Sequence, residues 1–549
     1  MKYTLLMTLL APALLAGCNL EKKEEPFQAR HIRAGYDAGQ VCQQLRQGWQ
    51  EDGIAIPASQ VSCHYLTVPL DYDKEWVQIK ETKWEKRSAA RADSSLFADN
   101  SPRFSSWSDK PVRPHVKQET RTVKGDTLDI FYLHYRATGD YRGTLFYNPG
   151  GPTSATPDLG LLLGLLRSAN PAILEHYDIV TLDPRGAGYS ALGHELRSCL
   201  LTDKQGVRPD MSPAQLAQLF ASRDKGALPA LQSGADQGKA FSTTLLARCD
   251  EPLRLHAPHL GSRAVVEDME RLRQHLGRER ITPITFSYGT RLAALYAARY
   301  PSHVANLVVD SPMSPAKNRY PAIFRGDAEN ANRILAWRFG DQALQRSMAV
   351  TRQVRDDGRY VDNQGNVLDR DRWEAVMSDA ISGSQRDDQL AFWQQDDAGS
   401  LLARLAKEQA DENPYSTLLE MPFFSTIHCT DNSEPYGWQA LDQEDAAFQG
   451  AGALLLANSF NTCADWPYPR QPIASYGAGE IKLPDDAKAL VLGAEYDPNT
   501  SFAGARLVKV AQSNQHGQLS SSRCAQAALS TLLLGDGESL PAEQRCLAD

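Results

Sequence analysis

The chain reads as an α/β protein: a mostly parallel, doubly wound sheet interrupted by a largely helical cap insertion. Three observations carry that reading. First, short apolar runs recur between helical stretches: Gly143-Thr144-Leu145-Phe146-Tyr147, Tyr177 to Leu182, Ile281 to Phe286, Val304 to Asp310, and Ala489-Leu490-Val491-Leu492-Gly493. Strands that are apolar throughout, rather than alternating, belong in a parallel sheet covered by helices on both faces. Second, several runs end in turns rich in glycine, proline or polar residues, at Asn148-Pro149-Gly150-Gly151-Pro152, at Asp183-Pro184-Arg185-Gly186-Ala187-Gly188 and at Ser287. Active sites of open α/β sheets belong at those carboxyl ends. Third, between Asp310 and about Phe424 the strand pattern gives way to charged, helical sequence over 327–349 and 370–410.

A chain of 549 residues exceeds one ordinary domain and holds enough residues for a large core plus an insertion. Its formal net charge of -9 argues against a nucleic-acid binder, which carries a basic footprint. No repeats or low-complexity tracts occur.

Taken in order, residues 1–18 read as a targeting segment. Met1-Lys2 opens it, and the apolar run Leu5 to Leu15 is shorter than the roughly 20 residues that span a bilayer. The run ends in Leu15-Ala16-Gly17-Cys18, which resembles a bacterial lipobox. That resemblance implies lipidation at Cys18 and, with Asn19 next, sorting to the outer membrane. The expectation is an exported, lipid-anchored chain facing the periplasm or the cell surface. The other reading is an ordinary secretory signal with an incidental cysteine. The second apolar run, Leu159 to Leu166, is also too short to span.

Residues 19–60 form a tether and N-terminal segment, polar and charged through residue 40. A first part of the core runs over 61–310. It starts with a strand within Val61 to Tyr72, makes an irregular polar excursion from Asp73 to Lys124, and resumes at Thr127 to Tyr135. A helix is expected over Val265 to Leu276. The cap covers 311–425. The sheet pattern is expected to return after Pro422-Phe423-Phe424, giving the C-terminal part of the core over 426–549.

Besides Cys18 there are eight cysteines: Cys42, Cys63, Cys199, Cys249, Cys429, Cys463, Cys524 and Cys546. An even number in an exported chain suggests disulfides. Proximity in sequence pairs them as Cys42–Cys63, Cys199–Cys249, Cys429–Cys463 and Cys524–Cys546, one choice among the 105 connectivities that eight cysteines allow. There is no C-x-x-C and no clustered His/Cys spacing, so no metal and no cofactor is expected.

The stretch Pro283-Ile284-Thr285-Phe286-Ser287-Tyr288-Gly289-Thr290, running into Arg291-Leu292-Ala293-Ala294-Leu295-Tyr296, is a strand, a sharp turn and a helix. A serine there is often only a helix N-cap. It is also the shape of a nucleophile elbow, G-x-S-x-G, with Thr285 in place of the first glycine. An active serine needs an acid and a base in the order Ser, Asp/Glu, His. His516, followed by Gly517, comes after every strand read in the sequence; His303 and His428 are less well placed. Asp497 closes the Leu490 to Thr500 stretch, ahead of Glu495 and Asp310 as the acid. An oxyanion hole needs backbone N–H groups: one from Tyr288, the other from Gly150 or Gly151, because Pro149 and Pro152 have none.

N-P-G-G-P, V-T-L-D-P-R-G-A-G-Y-S, F-S-Y-G-T-R-L, L-G-A-E-Y-D-P and Q-H-G together resemble α/β-hydrolase peptidases of the prolyl aminopeptidase type. The set is most similar to the secreted, tripeptidyl-aminopeptidase-like branch, as are L-T-V-P-L-D-Y, I-H-C-T-D around Cys429 and C-A-D-W-P around Cys463. The resemblance covers nearly the whole chain from about Cys63. It implies the α/β-hydrolase fold and a catalytic set of Ser287, Asp497 and His516. It also implies an exopeptidase that removes short N-terminal pieces from a peptide substrate. Such an enzyme must bind a free α-ammonium, and Asp327 and Glu329, early in the cap, are candidates. Their other reading is a solvated helix start, where acids meet the positive dipole end. Two departures from the family pattern stand out: Thr285, and Asn148-Pro149 with Thr153 where smaller relatives carry H-G-G-P-G. The same catalytic set also suits an esterase or thioesterase, and a third reading is a surface binding lipoprotein without catalysis. Oligomeric state is not readable.

Overall fold

The computed structural model describes residues 28–85, 115–199, 234–313, 331–382, 387–411, 414–432, 463, 465–473, 481–494, 506–511, 517–535 and 539–547. Its strands are β1 (His31–Ile32), β2 (Val61–Pro69), β3 (Trp76–Glu85), β4 (His115–Lys124), β5 (Thr127–Tyr135), β6 (Gly143–Asn148), β7 (Tyr177–Leu182), β8 (Thr282–Phe286), β9 (Leu307–Asp310), β10 (Arg359–Val361), β11 (Val367–Asp369), β12 (Ala489–Ala494), β13 (Arg506–Ala511) and β14 (Glu543–Leu547). The chain divides into two compact units, His31–Asp73 with Asp126–Asp549, and Met1–Arg30 with Lys74–Gly125.

In the larger unit, ten described strands form one sheet in the order β1-β5-β7-β6-β8-β9-β12-β13-β14, with β2 alongside β5. From β7 through β14 every neighbour is parallel. The antiparallel pairs are β2 with β5 and β5 with β7. Alternation along the strands splits the core in two. Val309 and Val491 face one layer with α1 (Ser262–His275) and α2 (Tyr288–Arg299), through Val265, Met269, Leu272, Leu292 and Leu295. Val308, Leu490 and Leu492 face the other, with α3 (Leu159–Ala169) and α4 (Arg523–Leu534). Apolar runs on these strands therefore serve helices on both faces. Helix α3 buries Leu159, Leu162, Leu163 and Leu166 and leaves Leu161 exposed. Each buried leucine contributes roughly 1.5–3 kcal/mol of transfer free energy. No described helix is long and apolar enough to cross a membrane.

Three expectations are corrected. The segment read as a tether is folded from His31 onward: β1 pairs with β5, and α5 (Ala38–Glu51) buries Val41, Leu45 and Trp49. Asp37 caps that helix by accepting from the Gln40 N–H at 2.8 Å. The excursion over Asp73 to Lys124 contains two ten-residue strands. In the smaller unit β3 and β4 form an antiparallel ladder from Trp76↔Lys124 to Glu85↔His115. Their sequences are too rich in Lys, Glu and Thr to flag a half-buried strand. Lastly, Pro422-Phe423-Phe424 does not restart the sheet. It lies inside α6 (Pro414–Asp431), which crosses residue 425, and the next described strand of the sheet is β12. Burial of Phe423, Ile427 and Cys429 overrides the helix-breaking bias of Pro422.

The cap holds its own core, with Trp373, Phe392, Trp393 and Leu401 fully or nearly buried. Helices α7 (Asp341–Asp357), α8 (Arg370–Ser382) and α9 (Gly399–Asp411) belong to it, together with the short hairpin β10–β11, which the helical reading missed. The four disulfides join Cys42–Cys63, Cys199–Cys249, Cys429–Cys463 and Cys524–Cys546, the neighbour pairing expected.

Candidate active site

Ser287 is the single residue between β8 and α2, held at φ 50°, ψ -124°. A non-glycine residue in that region costs about 1–3 kcal/mol and persists only where its surroundings impose it. Here they do. The Ser287 N–H donates to the Asp310 carbonyl at 3.1 Å. The Ser287 carbonyl accepts from the Thr290 N–H at 3.0 Å and from the Thr290 hydroxyl at 2.6 Å. Thr285, in place of the usual glycine, is fully buried, with its hydroxyl 3.4 Å from the Val308 carbonyl. Close backbone approach falls instead on Gly289, where a Cβ would lie 2.5 Å from Asn148 Oδ1 and 2.7 Å from the Asn148 carbonyl.

The turn after β6 packs on the serine. Gly150, at φ +108°, would place a Cβ 2.7 Å from the Phe286 carbonyl and 2.8 Å from Ser287 Cβ. Only glycine fits there. Its N–H donates to Asn148 Oδ1 at 3.0 Å and so is committed within the turn. Gly151 is exposed. The segment beyond is held by Asp183, which accepts from Ser154 Oγ and from the Ala155, Thr156 and Tyr189 N–H groups at 2.8–2.9 Å. Burial pushes the Asp183 carboxyl up, and these donors oppose the shift. Arg185, fully buried, binds Asp268 and the carbonyls of Leu70, Pro69 and His259. Both residues brace the loops around the turn.

Asp310, weighed above as a rival acid, is fully buried at the end of β9. Its carboxylate accepts from the Gln518 N–H at 2.7 Å and the Leu519 N–H at 2.8 Å. The neighbouring Ser311 hydroxyl accepts from the Gly517 N–H at 2.9 Å. Gly517 directly follows His516 in the chain. A Cβ on Gly517 would lie 4.0 Å from Phe286 Cδ1, beside the residue that precedes Ser287.

A buried polar network missed in the sequence lies under the elbow. The Tyr288 hydroxyl is 2.6 Å from Ser262 Oγ, and Ser262 donates to Asp431 through its hydroxyl and, at 2.8 Å, its N–H. Burial pushes the Asp431 carboxyl up to about 6, opposed by Ser262 and Arg291. His428 packs against Phe424 in a tilted contact with ring centroids 4.3 Å apart and meets the Tyr288 ring at 6.2 Å. Burial, then the Arg291 charge, pushes its imidazole down to about 3. A neutral His428 cannot attract the buried Arg291, whose Nε and Nη2 have no hydrogen-bond partner among the described residues. I-H-C-T-D and the arginine of F-S-Y-G-T-R-L were the available signals, but nothing in them shows that they meet.

Asp497, His516, Asp327, Glu329 and Cys18 lie outside the described residues. His303 is placed elsewhere, 3.2 Å from Glu270. Among the described residues, no group of three or more His, Cys, Asp or Glu is placed to hold a metal ion.

The family model of the alpha/beta hydrolase fold matches residues 143–498, from the first residue of β6 to the one after Asp497. The chain belongs to the alpha/beta hydrolase fold family. This hydrolase is 27% identical to the serine protease Hip1 of Mycobacterium tuberculosis over 192 residues, 35% of the chain and 33% of that protein. The match thus spans about a third of the length of the first curated relatives. It is 24% identical to the tripeptidyl aminopeptidase of Streptomyces coelicolor over 395 residues, 66% of the chain and 67% of that protein. It is 26% identical to carboxylesterase B of Mycobacterium tuberculosis over 475 residues, 77% of the chain and 83% of that protein.

Proposed function

We propose that this hydrolase is a serine peptidase that removes short pieces from the amino terminus of peptides through an acyl-enzyme intermediate. The observation that carries the nucleophile is Ser287, held at φ 50° in the strand-to-helix turn with Gly150 packed on its Cβ. Ser287 Oγ attacks the scissile carbonyl carbon, and His516 takes its proton and later delivers it to the leaving amine. Asp497 holds the imidazole tautomer and stabilises the imidazolium. The developing oxyanion accepts from the Tyr288 N–H at the start of α2, where the helix dipole is positive, and from the Gly151 N–H. Gly151 takes that role because the Gly150 N–H is bound to Asn148. Each such donor is worth roughly 3–4 kcal/mol in the transition state. Water then releases the acyl group by the same steps in reverse.

Action at the amino terminus is supported by the motif resemblance and by a relative named tripeptidyl aminopeptidase. Asp327 and Glu329 are the candidate partners of the substrate ammonium. A fluorophosphonate probe should label the wild type, and Ser287→Ala should abolish labelling; equal labelling of both removes the nucleophile assignment. A peptide-library digest read by mass spectrometry should show N-terminal steps of fixed length.

A second reading, an esterase with the same residues, is favoured by the relative named carboxylesterase B, which aligns over the larger share of the chain. Turnover of substrates with a free against an acetylated amine separates the two: preference for the blocked amine rejects the aminopeptidase. We also propose that Cys18 carries a lipid anchor and that the enzyme works outside the cytoplasm. The four disulfides fit an oxidising compartment.

A further inference from the structure

Residues 310 and 311 touch all three chain segments that carry the proposed catalytic residues. The Asp310 carbonyl accepts from the Ser287 N–H, fixing the serine turn. The Ser311 N–H donates to the Leu492 carbonyl at 2.9 Å, binding the strand that leads toward Asp497. The Asp310 carboxylate and the Ser311 hydroxyl together accept the Gly517, Gln518 and Leu519 N–H groups, at 2.7–2.9 Å, directly after His516. The Ser311 hydroxyl in turn donates to Asp310 Oδ1 at 3.3 Å. Both side chains are buried, at 0% and 2% exposure, so water does not compete for these acceptors.

We propose that Asp310 and Ser311 are positioning residues that fix His516 against Ser287. The proposal rests on the triad reading above and deepens it. Three consecutive N–H groups meet two adjacent side chains, so the chain at Gly517 is held at three points. Gly517 sits at φ +93°, which glycine adopts freely, and Ser311 at φ +54°, where a non-glycine residue is uncommon. A bland account is available: a buried carboxylate closing a short helical turn, Gln518–Ser521, with no effect on chemistry. The two accounts differ in what changes when the clamp is loosened. A structural cap alters stability. A positioning clamp alters the rate at Ser287, because misplacing a base by about 1 Å costs up to about a hundredfold.

Ser311 gives the cleaner test. Ser311→Gly keeps the positive φ at no steric cost and removes the acceptor of the Gly517 N–H together with the long donation to Asp310 Oδ1. Ser311→Asn tolerates positive φ and keeps an acceptor oxygen. On the full-length protein, Ser311→Gly is expected to lower both the fluorophosphonate labelling rate of Ser287 and kcat about tenfold, with KM within about twofold, the signature of an interaction that matters in the transition state. Ser311→Asn is expected to restore most of both. Asp310→Asn, which keeps one acceptor oxygen and turns an amide N–H2 toward the other backbone donor, should show a larger loss. An unchanged labelling rate in Ser311→Gly overturns the proposal. So does a loss that Ser311→Asn leaves uncorrected while Tm falls in parallel. His516→Ala is the separate control: labelling at the wild-type rate there sinks the histidine assignment itself.

Discussion

Asp431, buried, and His428, half-buried, lie three residues apart on α6, both linked to Tyr288, with opposite proton preferences. The Asp431 carboxyl stands at about 6 against an ordinary 3.8, so between those values the folded state binds its proton more tightly than the unfolded chain does. Its contribution to stability is therefore present at low pH and lost as pH rises through that window, by about 3 kcal/mol at 1.36 kcal/mol per pKa unit. His428, pushed from 6.5 down to about 3, is neutral when folded and charged when unfolded in the range between. Its contribution therefore grows as pH rises from about 3 to 6.5. The two oppose each other between pH 3.8 and about 6. Asp431→Asn removes the falling contribution and leaves the rising one. Denaturant melts at intervals from pH 4 to pH 7 should show the variant's stability climbing with pH more steeply than the wild type's. Parallel curves would mean that Asp431 is ionised at its ordinary value. The same carboxylate also fixes Ser262 and, through it, the Tyr288 hydroxyl, so part of the variant's loss should appear in kcat.

Elements legible in the sequence are those whose residues face only one kind of neighbour. β6, β7, β8, β9 and β12 are apolar because helices cover both faces, and the runs beginning at Gly143, Tyr177, Ile281, Val304 and Ala489 locate them within a few residues. The elbow was readable for the same reason, its strand and helix each having a plain local signature. β3 and β4 were not, because polar strands in a long hairpin carry no burial pattern. α6 was misread at Pro422, where tertiary packing outweighs a local rule. The contact of Ser262 with Asp431 spans 169 positions, so no local pattern announces it. The disulfide Cys429–Cys463 ties this end of α6, alongside the Ser262–Asp431 and Thr430–Ala257 hydrogen bonds. Both cysteines are fully buried, and their carbonyls accept from Arg470 at 3.0 and 2.8 Å. A closed loop of 34 positions restricts the unfolded chain by about 4 kcal/mol on the chain-entropy account. Replacing both cysteines by serine should lower stability by about that amount and slow turnover, because Asp431 lies two residues beyond Cys429. Equal turnover at a lowered Tm would separate the disulfide from the site.

At the scale of the whole molecule, the fold bears on how the enzyme meets a membrane. A formal charge of -9 gives no attraction to anionic lipids, and no described helix can span a bilayer. The anchor proposed for the chain is the acyl chains at Cys18. Each buried CH₂ contributes about 0.8 kcal/mol, and a single myristoyl chain binds only reversibly, so stable attachment needs more than one chain. Attachment of that kind is insensitive to screening, unlike a basic patch, which weakens as the Debye length shrinks to about 3 Å at 1 M salt. The wild type should therefore stay with the membrane pellet through a wash at about 1 M salt and leave it in detergent. Cys18→Ser should appear in the soluble fraction with the same kcat on a soluble peptide, because residue 18 is far in sequence from every residue proposed for the chemistry. Release of the wild type by salt would point instead to a protein partner as the anchor. Retention of Cys18→Ser in the pellet would remove the lipid from the account while leaving Ser287 and its chemistry untouched.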